Sequence, residues 1–330
     1  MTARLLKQWK WQLLIGLLIV VSLRFSFGSA PLLSKTPDPI AFGVYDPFQD
    51  FSRTHNVDIE HHFVPWRRDQ ADELKTALEE AIQNQRIPMI SLEPWPWNWN
   101  GMTDETLLTD VIEGRYDETL IRALYTIKEY APQEVIMRWG HEMEIVDQYP
   151  WSKSDYAAYI AAYRHIVALS HSLQIENISW LWSPAGNRNA IHYWPGEEYV
   201  DYIGISIYAI PEWHPQELNE LPSFELVLQQ KYWLSELYKK PLILSEVGVA
   251  GTAEEKEAWL EEAVAALSEF PNVKALVYFN QIQPDIVPLD IGQPQWQLSK
   301  QEVSQLINLW QQTYPSDRPL SSLKELRKAS

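Results

Sequence analysis

The sequence predicts an α/β fold, a single (β/α)8 TIM barrel, and two observations carry that prediction. Eight short apolar runs, rich in β-branched residues, alternate with helical patterns between residues 35 and 314. Such runs suit parallel strands covered on both faces, and eight of them close a barrel. No glycine-rich phosphate loop follows the first run, which removes the main support for the competing open, doubly wound sheet.

The runs come in order. Residues 40–45 (IAFGVY), 58–66 (DIEHHFVPW), 87–95 (IPMISLEPW) and 134–143 (EVIMRWGHEM) read as strands one to four. Residues 178–186 (ISWLWSPAG), 200–208 (VDYIGISIY), 241–248 (PLILSEVG) and 273–280 (VKALVYFN) read as strands five to eight. Between them, residues 69–85, 117–130, 152–173, 224–238, 253–270 and 299–314 repeat apolar residues at three and four, the helical spacing. Ser299 and Glu302 form a capping box at the start of the last of these. Pro241 and Pro271 mark exits from two helices. Residues 315–330 read as a polar tail that frays.

The first 34 residues are set apart from the barrel. Arg4, Lys7 and Lys10 precede an apolar run at 13–23 (LLIGLLIVVSL), closed by Arg24. That run is shorter than the roughly 18 residues a membrane span needs, and Gly28-Ser29-Ala30 offers small residues for cleavage. A signal peptide or an uncleaved N-terminal membrane anchor is expected, and with it a secreted or periplasmic protein. No break in composition marks a second domain, and a monomer is expected.

The chain has no cysteine, which excludes disulfides, thiolate catalysis and Cys-bound zinc. A net charge of −17 argues against nucleic acid and anionic lipid as partners. The sequence carries 16 Trp and 16 Tyr. Such rings fill cores, and they also stack on the apolar faces of sugars while the indole N–H stays free to donate.

A barrel holds its active site at the C-terminal ends of its strands. The residues there are Tyr45 and Asp46, Trp66 and Arg67, Glu93 and Trp95, His141 and Glu142, Trp182 and Ser183, Tyr208, Glu246 and Asn280. This is a rim of carboxylates, aromatics and hydrogen-bonding groups. It has no His/Asp cluster at metal-ligand spacing: His61 and His62 point to opposite faces of a strand, and HEME lacks the second His of a zinc motif. No metal and no cofactor are expected, which disfavours a metal-dependent polysaccharide deacetylase. Two glutamates on different strands, Glu142 and Glu246, are what glycosidic cleavage requires: one protonated to reach the leaving oxygen, one ionised to attack or steady the anomeric carbon. Glu93, Trp95, Trp182 and Asn280 are candidates for contacting the substrate.

RWGHEM (residues 138–143) with YPW (149–151), WLWSP (180–184), GISIY (204–208) and LSEVG (244–248) together resemble glycoside hydrolase family 26, in order along nearly the whole barrel. The usual form of its acid/base segment is Arg-Pro-x-His-Glu-Met-Asn-Gly. The resemblance implies a retaining double displacement on β-1,4-mannan or β-1,3-1,4-glucan. Glu142 would be the general acid/base and Glu246 the nucleophile. His141 would hydrogen-bond near the acid/base, Arg138 and Tyr208 would orient the nucleophile, and Trp151 would stack on sugar. Trp95, Trp97 and Trp99 would line the glycone side. Four departures stand out: Trp139-Gly140 in place of Pro and an apolar residue, Glu144 in place of Asn, Ile145 in place of Gly, and Ser206 where many members carry Asp. Glu144 would either raise the pKa of Glu142 by like-charge repulsion or point to solvent. The alternatives are a non-catalytic carbohydrate-binding barrel, and a membrane-anchored hydrolase or transglycosylase that processes self-made exopolysaccharide.

Overall fold

A computed structural model describes residues 39–51, 56–66, 71–96, 105–211, 221–282, 293–315, 320 and 322–327. The leader expected over residues 1–34 lies outside them, as do Arg67, Trp97 and Trp99. Among the described residues no helix is long and apolar enough to cross a membrane.

Eight parallel strands close a barrel in chain order: β1 (Ala41–Tyr45), β2 (Ile59–Pro65), β3 (Ile87–Glu93), β4 (Val135–Trp139), β5 (Ile178–Trp182), β6 (Tyr202–Ala209), β7 (Leu242–Val249) and β8 (Val273–Phe279). The seam pairs β1 with β8, from Ala41 against Ala275 to Tyr45 against Phe279. Around the strands lie α1 (Ala71–Gln83), α2 (Leu107–Ile112), α3 (Asp117–Lys128), α4 (Tyr156–Ser172), α5 (Phe224–Tyr238), α6 (Ala253–Ala266) and α7 (Lys300–Thr313), with a single turn, α8 (Lys324–Arg327), after them.

The interior is layered by the two-residue period of the strands. The lowest layers are apolar, with Ala41, Ile59, Ile87, Ile136, Leu181 and Ile243 fully buried. One pleat higher the inward residues turn polar. His61 Nε2 lies 2.7 Å from Ser91 Oγ. Arg138 donates to Ser183 Oγ (2.9 Å) and Ser91 Oγ (3.1 Å). Ser183 and Ser245 share a hydrogen bond of 2.9 Å. This layer is the platform on which the mouth residues stand. The outward strand residues pack against the helices in a larger apolar shell, which supplies most of the burial.

Local sequence fixes the element ends. The Ser299–Glu302 capping box forms at the start of α7, and Thr252 and Glu255 form a second at the start of α6. Asp155 accepts from the Ala158 amide, which starts α4 at Tyr156 rather than at residue 152. The fourth strand ends at Trp139, short of the expected residue 143, because Gly140 (φ 56°) and Glu142 (φ 51°) take left-handed backbone that cannot continue a strand. Helix α2 carries a six-residue pattern, LLTDVI, too short for periodicity to reveal.

The tail has described residues at the barrel floor. Leu323 is fully buried with the lowest apolar layer. Glu134, just before β4, accepts from Ser179 Oγ, Ser322 Oγ and the Leu323 amide, the last at 2.8 Å.

Candidate active site

The left-handed step at Glu142 lifts its carboxyl out of strand geometry and over the barrel mouth. Its own amide donates to the Ser183 carbonyl at 2.8 Å, tying the turn to the end of β5. The carboxyl is buried. Ser206 Oγ donates to Oε1 at 2.6 Å and the Tyr149 hydroxyl to Oε2 at 3.3 Å. Burial, then the charge of Glu246, pushes Glu142 up to about 7. A buried carboxyl facing another carboxyl resists ionising.

Glu246 sits in the opposite electrostatic setting. Arg138 Nη1 lies 2.6 Å from its Oε1. The Tyr208 hydroxyl donates to its Oε2 at 2.5 Å. Arg138 is fully buried, so this ion pair is formed out of water, where charge partners act strongly. Ser206 connects the two glutamates: its backbone is in register with Glu246 across β6 and β7, while its hydroxyl reaches Glu142. A register shift between Ile205 and Ser206 brings this about. Gly248 matters here too, because a methyl at that position would stand 2.8 Å from the Tyr208 ring.

Glu93, at the end of β3, is a third buried carboxyl at the mouth. Trp95 Nε1 donates to its Oε2 at 3.1 Å. Burial pushes Glu93 up to about 7 as well. Trp95 is half-buried, with its ring edge-on to Trp151 (5.2 Å) and to Tyr149 (6.3 Å). Burial, then the charges of Glu93 and Glu246, push the Tyr45 hydroxyl up to about 12.

Several expectations are corrected by this geometry. Trp151 does not present a face to sugar. It is fully buried, its Nε1 donates to the His141 carbonyl at 2.7 Å, and its ring stacks on Tyr149 at 4.7 Å and 2°. It supports Tyr149, a contact of Glu142 that the sequence reading passed over. Trp182 points away from the mouth, because it follows the inward Leu181 and precedes the inward Ser183. It is fully buried edge-on to Trp194 and Tyr238, in the shell outside the barrel. Asn280 is fully buried as well. Its amide donates to Asp46 (2.9 Å) and Asp50 (3.2 Å), and its oxygen accepts from the Leu298 amide (2.8 Å). It ties the seam rather than a ligand. His141 makes no hydrogen bond with Glu142: its Nε2 turns to Glu93 Oε1, 4.0 Å away.

Glu144 does not point to solvent. It is buried, and Oε1 accepts from the amides of Gly186 (2.9 Å) and Asn187 (3.2 Å). It does add to the forces raising Glu142, behind burial and Glu246. Beneath it Lys231, nearly buried, donates to the carbonyls of Ala185 and Ser206 at 2.8 and 2.5 Å. A lysine on an amphipathic helix reads as a solvated charge, so no local pattern marks this role.

Among the described residues, the grouping with metal-like spacing is Glu60, His62 and Glu80, on the flank between β2 and α1. Glu60 is already engaged there by Arg86 (3.0 Å) and Asn84 (2.9 Å).

Comparison with known proteins agrees with the fold. The model of Glycosyl hydrolase family 26 matches residues 95–219. Endoglucanase H of Acetivibrio thermocellus is 28% identical over 239 residues, covering 68% of this chain and 25% of that protein. The chain spans between a quarter and about a third of the length of the curated relatives it matches. Among solved structures, a GH26 β-mannanase from Bacteroides ovatus superposes with a TM-score of 0.59 at 14% identity, over 84% of this chain and 90% of that one. The catalytic domain of an endo-β-1,4-mannanase from Bacillus sp. JAMB-750 gives 0.61 at 14% identity, over 84% and 86%. The resemblance to glycoside hydrolase family 26 read from the sequence therefore holds, in the eight-stranded barrel and in the segment that carries Glu142.

Proposed function

We propose that this chain is an endo-acting, retaining glycoside hydrolase that cleaves a β-linked polysaccharide, with Glu142 as general acid/base and Glu246 as nucleophile. The observation that carries this reading is the opposed setting of the two carboxyls. Arg138 and Tyr208 hold Glu246 where a charged, oriented nucleophile would be needed. Burial and Glu246 keep a proton on Glu142 near neutral pH.

In the first step Glu246 attacks the anomeric carbon while Glu142 gives its proton to the departing oxygen. The covalent glycosyl ester neutralises Glu246, so the repulsion that raised Glu142 falls away and it ionises readily. It then takes a proton from the water that hydrolyses the ester. Names of the relatives, endoglucanase, β-mannanase and β-1,3-xylanase, support a β-linked backbone cut internally. The leader-like segment supports export, secreted or periplasmic, with the segment either cleaved or kept as an anchor.

The test is reducing-end release from mannan, glucomannan, mixed-linkage β-glucan, β-1,3-xylan and soluble cellulose, with product anomers followed by NMR. Retention is expected on one of these, with activity cut about 100- to 10,000-fold in Glu142→Gln and Glu246→Gln. Wild-type rates in both variants would refute the assignment. Binding without hydrolysis would instead identify a carbohydrate-binding barrel.

A further inference from the structure

Lys231, on α5, is a cation close to Glu142 that the double displacement leaves unused. Its ammonium donates to two carbonyls, Ala185 after β5 at 2.8 Å and Ser206 in β6 at 2.5 Å, and makes no ion pair among the described residues. Ser206 is where the register of β6 against β7 shifts, and its hydroxyl donates to Glu142 Oε1 at 2.6 Å. Lys231 and Glu142 therefore hold the same residue, one by its backbone oxygen and the other by its side chain. Gly186 makes room for the lysine stem: its φ is 101°, and a methyl there would stand 2.8 Å from Lys231 Cδ. Burial drives the ammonium below its ordinary range, while the charges of Glu142 and Glu144 pull it back up. Attraction between charges is mutual, so the Lys231 charge favours an ionised Glu142.

We propose that Lys231 is a positioning residue for the second half of the reaction. It grips the Ser206 backbone so that the hydroxyl stays on Glu142, and its charge steadies the carboxylate that Glu142 must become. This rests on the hydrolase reading above. Glu246 and Glu144 oppose ionisation of Glu142, Arg138 and the Ser206 hydroxyl favour it, and the Tyr149 and Tyr208 hydroxyls also feel its charge. In the glycosyl-enzyme the ester has removed the charge of Glu246. Water's oxygen then bonds to the anomeric carbon, the bond to Glu246 breaks with its electron pair returning to that carboxylate, and Glu142 takes the water's proton. Only an ionised Glu142 can take it, and Lys231 is a fixed positive charge that serves this step.

The test uses the full chain with 2,4-dinitrophenyl β-cellobioside, β-mannobioside and β-xylobioside. Their leaving group needs no proton, so hydrolysis of the ester limits kcat and a burst of dinitrophenolate appears. The low-pH limb of kcat, which reports Glu142 in the glycosyl-enzyme, should rise by about half to one unit in Lys231→Met and Lys231→Gln. On that limb kcat and KM should fall together, about three- to tenfold, with kcat/KM within about twofold of the unmutated chain. Lys231→Arg, which keeps the charge, should restore most of the loss. Lys231→Gln keeps a donor for the carbonyls and carries the test alone if Lys231→Met does not fold. A low-pH limb that stays put, or a loss equal at every pH, overturns the proposal. If the unmutated chain hydrolyses none of the three, the hydrolase reading fails separately. Carbon-13 NMR titration of Glu142, assigned by its absence in Glu142→Gln, then decides Lys231: a rise of about half a unit or more in Lys231→Gln supports its action on Glu142, and no rise overturns it.

Discussion

Ser206→Ala tests the electrostatic account of Glu142 at one atom. The Ser206 hydroxyl donates to Glu142 Oε1 at 2.6 Å, and that bond favours the ionised form, opposing the rise caused by burial and Glu246. A hydrogen bond to a charged group contributes about 1.5–3 kcal/mol, and one pKa unit is about 1.4 kcal/mol, so complete loss would raise Glu142 by roughly one to two units. The Tyr149 hydroxyl remains on the other oxygen, which favours the lower figure. The sign follows: removing a donor from the ionised form raises the pKa, so Glu142 keeps its proton to higher pH. The high-pH limb of kcat/KM, set near 7 by Glu142, should move up by about one unit. The assay is kcat/KM on the preferred glycan between about pH 4 and pH 10, with thermal unfolding as a check on the fold. A high-pH limb that stays put or moves down would refute the reasoning.

Three further outcomes follow from the geometry. Gly248→Ala places a methyl 2.8 Å from the Tyr208 ring and should push the phenol off Glu246, lowering kcat about tenfold with little change in melting temperature; an unchanged kcat would contradict this. Glu142→Gln should stabilise the fold. A carboxyl raised from 4.5 to about 7 makes the native state lose stability as pH rises through that window, so the gain, on the order of 1–3 kcal/mol, should appear at pH 8 and vanish near pH 4 in calorimetric scans. Trp182→Ala should cost about 3–5 kcal/mol in denaturant unfolding while leaving KM unchanged in material that remains folded, because the ring lies in the shell outside the barrel.

The barrel was legible because each strand is a continuous apolar run and each large helix a periodic one, and these signals survive without tertiary information. The two glutamates were legible because strand ends define a barrel mouth. Side-chain direction near those ends was not. Leu181, Trp182 and Ser183 are adjacent, and only the register of β5 against β6, Leu181 with Tyr202, shows that the middle one faces outward. Trp151 and Asn280 are rim residues by sequence position, yet each is drawn inward by a hydrogen bond to backbone, His141 O for one and Leu298 N for the other. Glu144 and Lys231 meet loop carbonyls and amides from distant segments, a pairing that no local pattern encodes.

The Asn280 clasp bears on how the chain comes together. It joins β8 to Asp46 across 234 residues, so β1 stays a bare edge on that side until almost the whole barrel has been made. An unpaired parallel strand is a template for sticking to another copy, and long-range pairing of this kind forms slowly. During that wait Asp46 and Asp50 stand at the end of the edge without their amide partner, two negative charges that repel a second molecule doing the same. When Asn280 arrives its neutral amide donates to both acids, and the repellent becomes the latch.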